Sequence, residues 1–227
     1  PAEVIDGNGA VTLDETSGIV SAQADAATAR FLAEHLEARW GLRLPVNAAG
    51  RAGIALRRRA GLPAEAYSLR CDRRGLVIEG DERGLFYGAQ TLLQMLRRED
   101  DHVTAPAVRV HDAPVARVRG LHIYMPGRDN LGYCKRLLDV MAELKMNTAI
   151  IEVGGGMRLR RYPEINAAWE RFAAGMRQHL ARGEAALQGD PLAPRRWQNS
   201  MHIELGGGSF LEQDEVRDLV DHARRRH

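Results

Sequence analysis

The sequence predicts an α/β protein in two parts: a small α+β domain over residues 1–115, then, over residues 116–227, the beginning of a parallel β/α sheet or barrel. Three observations carry this. Helical and strand patterns alternate through the first third and include a hairpin signal. A later pair of strands is apolar at nearly every residue, with one amphipathic helix between them. Between these two patterns Pro106, Asp112 and Pro114 crowd the stretch Ala105 to Val118, which places the domain boundary there.

In chain order, an extended stretch runs from about Val4 to Leu13. The helix after it, about Ala22 to Trp40, has an apolar stripe of Ala24, Ala27, Phe31, Leu32, Leu36 and Trp40, and Gly41 stops it. Gly53 to Leu56, Tyr67 to Cys71 and Leu76 to Glu79 read as short strands divided by Gly, Pro and charged turns, with Asp72 to Gly75 as a hairpin turn. A second helix is expected from about Arg83 to Arg98, with Leu85, Ala89, Leu92 and Leu96 inward.

In the second part, Gly120 to Met125 and Thr148 to Val153 read as strands around a helix from Leu131 to Leu144. Strands with almost no polar face are expected where both faces are covered, and the spacing suits a β-α-β unit. The last helix is expected from about Glu212 to Arg226, with Ser209 and Glu212 as its capping box. A long excursion precedes it, made of an amphipathic stretch from Glu164 to Leu187 and an irregular one from Gly189 to Gly208. In a β/α fold such an excursion is functional and belongs at the carboxyl ends of the strands.

Composition narrows the function classes. A chain of 227 residues that is 44% hydrophobic can bury a substantial core. Its 32 Lys and Arg against 30 Asp and Glu leave a net charge of +2, which provides no broad field for nucleic acid or an anionic membrane. The runs Arg57 to Arg59 and Arg224 to Arg226 read as solvated faces. No apolar run reaches membrane-spanning length, and Pro1-Ala2-Glu3 lacks the pattern of a signal peptide. Cys71 and Cys134 read as buried free thiols, which suits a reducing, cytoplasmic setting. His122, His179 and His222 form no metal-ligand cluster and neither Gly triplet ends in Lys-Ser/Thr, so no metal, nucleotide or other cofactor is expected.

Glu152 is the candidate binding carboxylate: it ends an otherwise apolar strand, where an enclosed charge must find a partner. The run Ile151-Glu152-Val153-Gly154-Gly155-Gly156 is echoed by Ile203-Glu204-Leu205-Gly206-Gly207-Gly208. Each follows a carboxylate with backbone that a ligand can approach closely. Trp197 and His202 beside Glu204 add a ring platform and hydrogen-bonding groups of the kind sugar sites use. The competing reading of His202 is a loop histidine satisfied by a structural bond.

The stretch GLVIEGDERGLFYGAQTLLQ, Gly75 to Gln94, is followed by Asp112-Ala113-Pro114, Arg119-Gly120-Leu121, Asp139-Val140-Met141-Ala142, Lys145-Met146-Asn147 and a segment from Gly206 through Val216 to His222-Ala223. In this order the landmarks resemble glycoside hydrolase family 20, the β-N-acetylhexosaminidases. The resemblance implies an auxiliary domain over 1–115, then over 116–227 the front part of a catalytic (β/α)8 TIM-type barrel that is incomplete in this chain. It also implies a retaining hydrolase of terminal β-linked N-acetylhexosamine that uses the substrate's own 2-acetamido group as nucleophile. In that scheme an Asp orients the acetamido group while a neighbouring Glu serves as general acid and then base.

The family's Asp-Glu pair lies on a later strand, so no catalytic residue is assigned here. Asp14-Glu15, Asp81-Glu82 and Asp214-Glu215 read as structural. The resemblance implies that Arg119 binds sugar hydroxyls. Arg119, Glu152, Trp197, His202 and Glu204 are therefore expected to converge at one mouth of the partial barrel. Ile150 to Gly156 stands where most members carry a His-x-His run, and Tyr124 stands near the usual Asp of the first strand, which implies a divergent branch. The expected partner is a carbohydrate, with self-association through the incomplete barrel. The competing function is a non-catalytic carbohydrate-binding protein of the same fold.

Overall fold

In the computed structural model, which describes residues 2–47, 51–73, 75–153, 156–186 and 210–226, the chain divides into two compact units, Pro1–Arg117 and Val118–Arg226. The first comprises β1 (Glu3–Leu13), β2 (Ser17–Val20), α1 (Ala26–Trp40), β3 (Arg51–Arg58), β4 (Tyr67–Asp72), β5 (Gly75–Gly80), α2 (Glu82–Met95), β6 (Arg97–Glu99) and β7 (His102–Asp112). The strands form one sheet in the order β1-β7-β4-β5-β3-β2, with β6 also pairing with β7. From β1 to β5 the neighbours are antiparallel, and from β5 to β2 they are parallel.

Local chemistry sets the helix ends. Helix α1 stops at Gly41, which takes φ 69° and turns its N–H back to the carbonyls of Leu36 and Glu37. Helix α2 starts at Asp81, whose carboxylate accepts the N–H of Gly84 at 2.7 Å and that of Glu65 at 2.9 Å. Phe31, Leu32 and Leu36 of α1, Leu85, Phe86 and Leu92 of α2, and Ile54, Leu69, Leu76, Ile78 and Val110 of the strands are all buried. A close fit joins α2 to the sheet: a Cβ on Gly88 would lie 2.4 Å from the Ile78 side chain.

Two expectations for this unit need correction. The second helix ends at Met95 rather than Arg98, because Leu96 turns to an extended conformation and Arg97–Glu99 pairs with β7. The stretch from Ala105 to Asp112 is strand, not linker, and β7 runs through Pro106. That proline falls between the residues of β7 that pair with β6 and those that pair with β4. It also sits beside a register shift in β1 between Asp6 and Ala10. A missing N–H is tolerated where the ladder is interrupted.

The second unit comprises β8 (Gly120–Tyr124), α3 (Leu131–Glu143), β9 (Thr148–Glu152), α4 (Pro163–Ala186) and α5 (Gln213–Arg224). Strands β8 and β9 pair in parallel from Gly120↔Thr148 to Tyr124↔Glu152, with α3 as the crossover. Cys134, Leu138 and Met141 of α3 and Leu219 of α5 form a small core against which Ile123, Ala149 and Ile151 pack. Asp139 of α3 meets His222 Nε2 at 2.9 Å and Arg226 Nε at 2.8 Å, which fastens the two helices together.

The reach-back of the α5 capping box comes from Glu215, whose carboxylate accepts the N–H of Glu212 at 2.7 Å. This is one turn later than the Ser209 and Glu212 pairing expected from the sequence, and Ser209 lies outside the described residues. Among the described residues no helix is long and apolar enough to cross a membrane.

Candidate functional site

With Ile123, Ala149 and Ile151 turned toward the helices, the alternation of a strand turns His122, Tyr124, Ile150 and Glu152 to the other face. Tyr124 and Ile150 are 51% and 59% exposed there. His122 Nε2 approaches Glu152 Oε2 at 3.3 Å, and the His122 and Tyr124 rings lie 5.7 Å apart. This places an imidazole, a phenol and a carboxylate together at the carboxyl ends of two parallel strands, the end at which parallel β/α folds place ligands.

The connections around these ends are held by backbone. Met125 N–H donates to the Glu152 carbonyl at 2.8 Å, continuing the ladder by one residue. Leu211 N–H donates to the Gly156 carbonyl at 2.9 Å and Arg158 N–H to the Leu211 carbonyl at 2.8 Å. Gly156 must be small, since a Cβ there would meet the Met125 side chain at 2.9 Å. The loop is tied to α4 by buried Asn166, which accepts from Leu159 N–H at 2.7 Å and donates to the Met157 carbonyl at 2.9 Å.

Arg128 lies in the turn between β8 and α3. It donates to both oxygens of Glu215 at 2.8 Å and to the Phe210 carbonyl at 3.1 Å. The guanidinium holds the Glu215 carboxyl below its ordinary range. Arg158 donates to Glu212 at 2.9 Å with its guanidinium 5.5 Å from the Phe210 ring centre.

Of the five residues expected to converge, Arg119 and Glu152 lie among the described residues. Arg119 stands at the amino end of β8, where its carbonyl accepts the N–H groups of Asn147 and Thr148 and its Nε donates to the Lys145 carbonyl at 2.8 Å. Glu152 closes the carboxyl end of β9, about 16 Å further along the strand direction. Arg119 thus braces the start of the strand pair. Trp197, His202 and Glu204 lie outside the described residues. His122 and Tyr124 were legible in principle, since the period of two puts both on the face of Glu152.

The three Asp-Glu pairs are occupied locally. Asp14 accepts from the N–H and hydroxyl of Thr16 at 2.9 and 2.6 Å, Asp81 caps α2, and Glu215 holds Arg128. Among the described residues no group of three or more His, Cys, Asp and Glu side chains is arranged to hold a metal ion.

Residues 1–113 match the family model "Glycosyl hydrolase family 20, domain 2". The chain belongs to glycoside hydrolase family 20. This family 20 chain is 28% identical over 185 residues to a protein of Vibrio furnissii named beta-hexosaminidase, an alignment covering 78% of the chain and 27% of the relative. A beta-hexosaminidase of Porphyromonas gingivalis is 26% identical over 232 residues, covering 92% of the chain and 26% of the relative. The chain therefore spans about a quarter of the length of these curated relatives. Its fold matches that of the GH20 exo-β-N-acetylglucosaminidase of Vibrio harveyi solved with N-acetylglucosamine. The TM-score is 0.74 at 21% identity, over 100% of this chain and 34% of that one.

Proposed function

We propose that this chain is the auxiliary domain, residues 1–115, and the opening part of the catalytic (β/α)8 barrel, residues 116–227, of a glycosidase that removes terminal β-linked N-acetylhexosamine. The observation that carries the reading is a junction. A family 20 domain 2 leads directly into a parallel β-α-β unit whose uncovered face carries His122, Tyr124 and Glu152 at its carboxyl end. The beta-hexosaminidase names of the relatives support the substrate class.

On this reading the mechanism is retaining and substrate-assisted, and its Asp-Glu pair comes from a later barrel strand. Glu152 receives sugar hydroxyls as a hydrogen-bond acceptor, and Trp197, His202 and Glu204 belong to the same mouth. The outward residues Val140, Leu144 and Ile150, which are 47%, 64% and 59% exposed, support self-association of the chain when it is alone.

An assay of this chain beside a longer version, on a chromogenic β-N-acetylglucosaminide, tests the proposal. Turnover by the longer protein alone is the expected result. Comparable turnover by both would show that the acid lies within these residues and return attention to Glu152. Tight sugar binding without turnover by the longer protein would favour the non-catalytic alternative.

A further inference from the structure

Among the described residues, the sheet of the first unit carries helices on one face only. Gly88 of α2 sits against Tyr67 and Ile78, so the helices cover the face to which those side chains point. Their strand neighbours Ser68, Arg70, Val77 and Glu79 point the other way, together with Arg109 and His111 of β7. On this second face Arg70 and Arg109 are directly opposed across the β4–β7 ladder. Like charges in that position destabilise a sheet, and nothing in folding requires them there.

Nearby acids leave much of this charge unbalanced. Arg70 is paired with Asp72, and Glu79 is taken by Arg59 at 3.2 Å. The side chains of Arg57, Arg109 and His111 have no hydrogen-bond or ion-pair partner among the described residues. Arg70 and Arg109 line a hollow of about 800 Å3 together with Ile5, Asp6, Asn8 and Arg73. A second hollow of about 230 Å3, lined by Arg57 and His111 among others, shares the same two arginines. The wall on the β1 side exists because Gly7 and Gly9 let the strand bulge. Gly9 takes φ 96°, and a Cβ on Gly7 would lie 3.1 Å from the Ala107 carbonyl oxygen.

We propose that this face is a binding surface for an acidic oligosaccharide, a chain of sugar rings bearing carboxylates, seated with one carboxylate between Arg70 and Arg109. Guanidinium forks match a planar carboxylate with two parallel hydrogen bonds, which a lysine pair would not do. Ile5 of β1 and Val77 of β5, opposite Arg109 and Arg70 respectively, provide apolar seats for ring faces. Asp6 and Asn8 at the rim offer acceptors and donors for hydroxyls. A bound carboxylate also removes the repulsion between the two arginines, so the free protein is less stable than a variant lacking one of them.

Calorimetric titration of the full chain with an oligogalacturonate, beside a neutral malto-oligosaccharide of equal length, tests this. The acidic sugar is expected to bind saturably and the neutral one not. Arg109→Ala is expected to weaken binding at least about tenfold while raising the melting temperature of the free protein. Absence of saturable binding, or unchanged affinity in Arg109→Ala, would overturn the proposal. So would equal binding of a single-stranded oligonucleotide of the same charge, since the face would then be a general polyanion surface. Arg109 is exposed, so its removal leaves the core intact and keeps the test readable.

Discussion

His122 on β8 and Glu152 on β9 meet diagonally across a parallel strand pair, 3.3 Å apart, with each side chain about half exposed at 53% and 52%. A polar contact so open to water contributes less than about 1 kcal/mol to stability. His122→Ala and Glu152→Gln are therefore expected to shift urea unfolding of the chain by no more than that. In a longer, active version the same substitutions are expected to raise the Kd for N-acetylglucosamine. Stability losses of several kcal/mol would mark the pair as a structural contact instead.

The grip of Arg128 on Glu215 makes the second unit acid-sensitive. The carboxyl of Glu215 is held below its ordinary value of 4.5 by the Arg128 hydrogen bonds, and that of Asp218 below 3.8 by Lys135. A depressed carboxyl contributes stability above its unfolded value, and that contribution disappears as pH falls through the lower folded one. Thermal melts are expected to be flat in this respect near neutrality and to fall below about pH 4.5. Glu215→Gln should remove part of that slope, and added salt should weaken it because Asp218 is exposed and Glu215 is partly so.

Neither cysteine is expected to react in the folded protein. Burial pushes the Cys71 thiol up to about 11, and the Cys134 thiol is raised for the same reason. A thiol reagent at pH 8 should therefore label both residues only after denaturation, since the thiolate is the reactive form. Rapid labelling of native protein would show that one of the two sites opens.

Gly84→Ala sets two effects against each other. Alanine favours a helix over glycine by about 1 kcal/mol. At this position, however, a Cβ would lie 2.1 Å from the Ala66 carbonyl oxygen, which is backbone and cannot swing aside. Relief of the clash must displace the first turn of α2 from the Glu65–Ala66 segment that Asp81 also holds. Net destabilisation of at least about 2 kcal/mol is expected from such overpacking, measured by chemical denaturation.

Much of the fold was legible because its signals are local. The stripe of Phe31, Leu32 and Leu36, the stop at Gly41 and the alternation in Tyr67 to Cys71 each reflect one element's own contacts. The role of Pro106 was not legible, since a proline is tolerated in β7 only because β4 and β6 pair elsewhere along it. The surroundings of Arg119 were not legible either: the resemblance implies a sugar-binding role, while the bond from its Nε to the Lys145 carbonyl depends on the parallel pairing of β8 with β9. His122 and Tyr124 needed only the period of two, counted along β8.

The place of β7 in the sheet has a consequence for how the first unit is made. It is the last strand of that unit in sequence, yet it lies between β1, the first strand, and β4. Glu3 pairs with His111 and Leu13 with Val103, so the opening strand finds its hydrogen-bonding neighbour only when nearly the whole unit has been synthesised. During translation the β3, β4 and β5 pairings can form early around α2, while β1 trails without a partner. Closure is then a single late event that inserts β7 between two edges already present. Contacts so distant in sequence slow folding, and the waiting edge of β4 is the surface most exposed to mispairing in the interval.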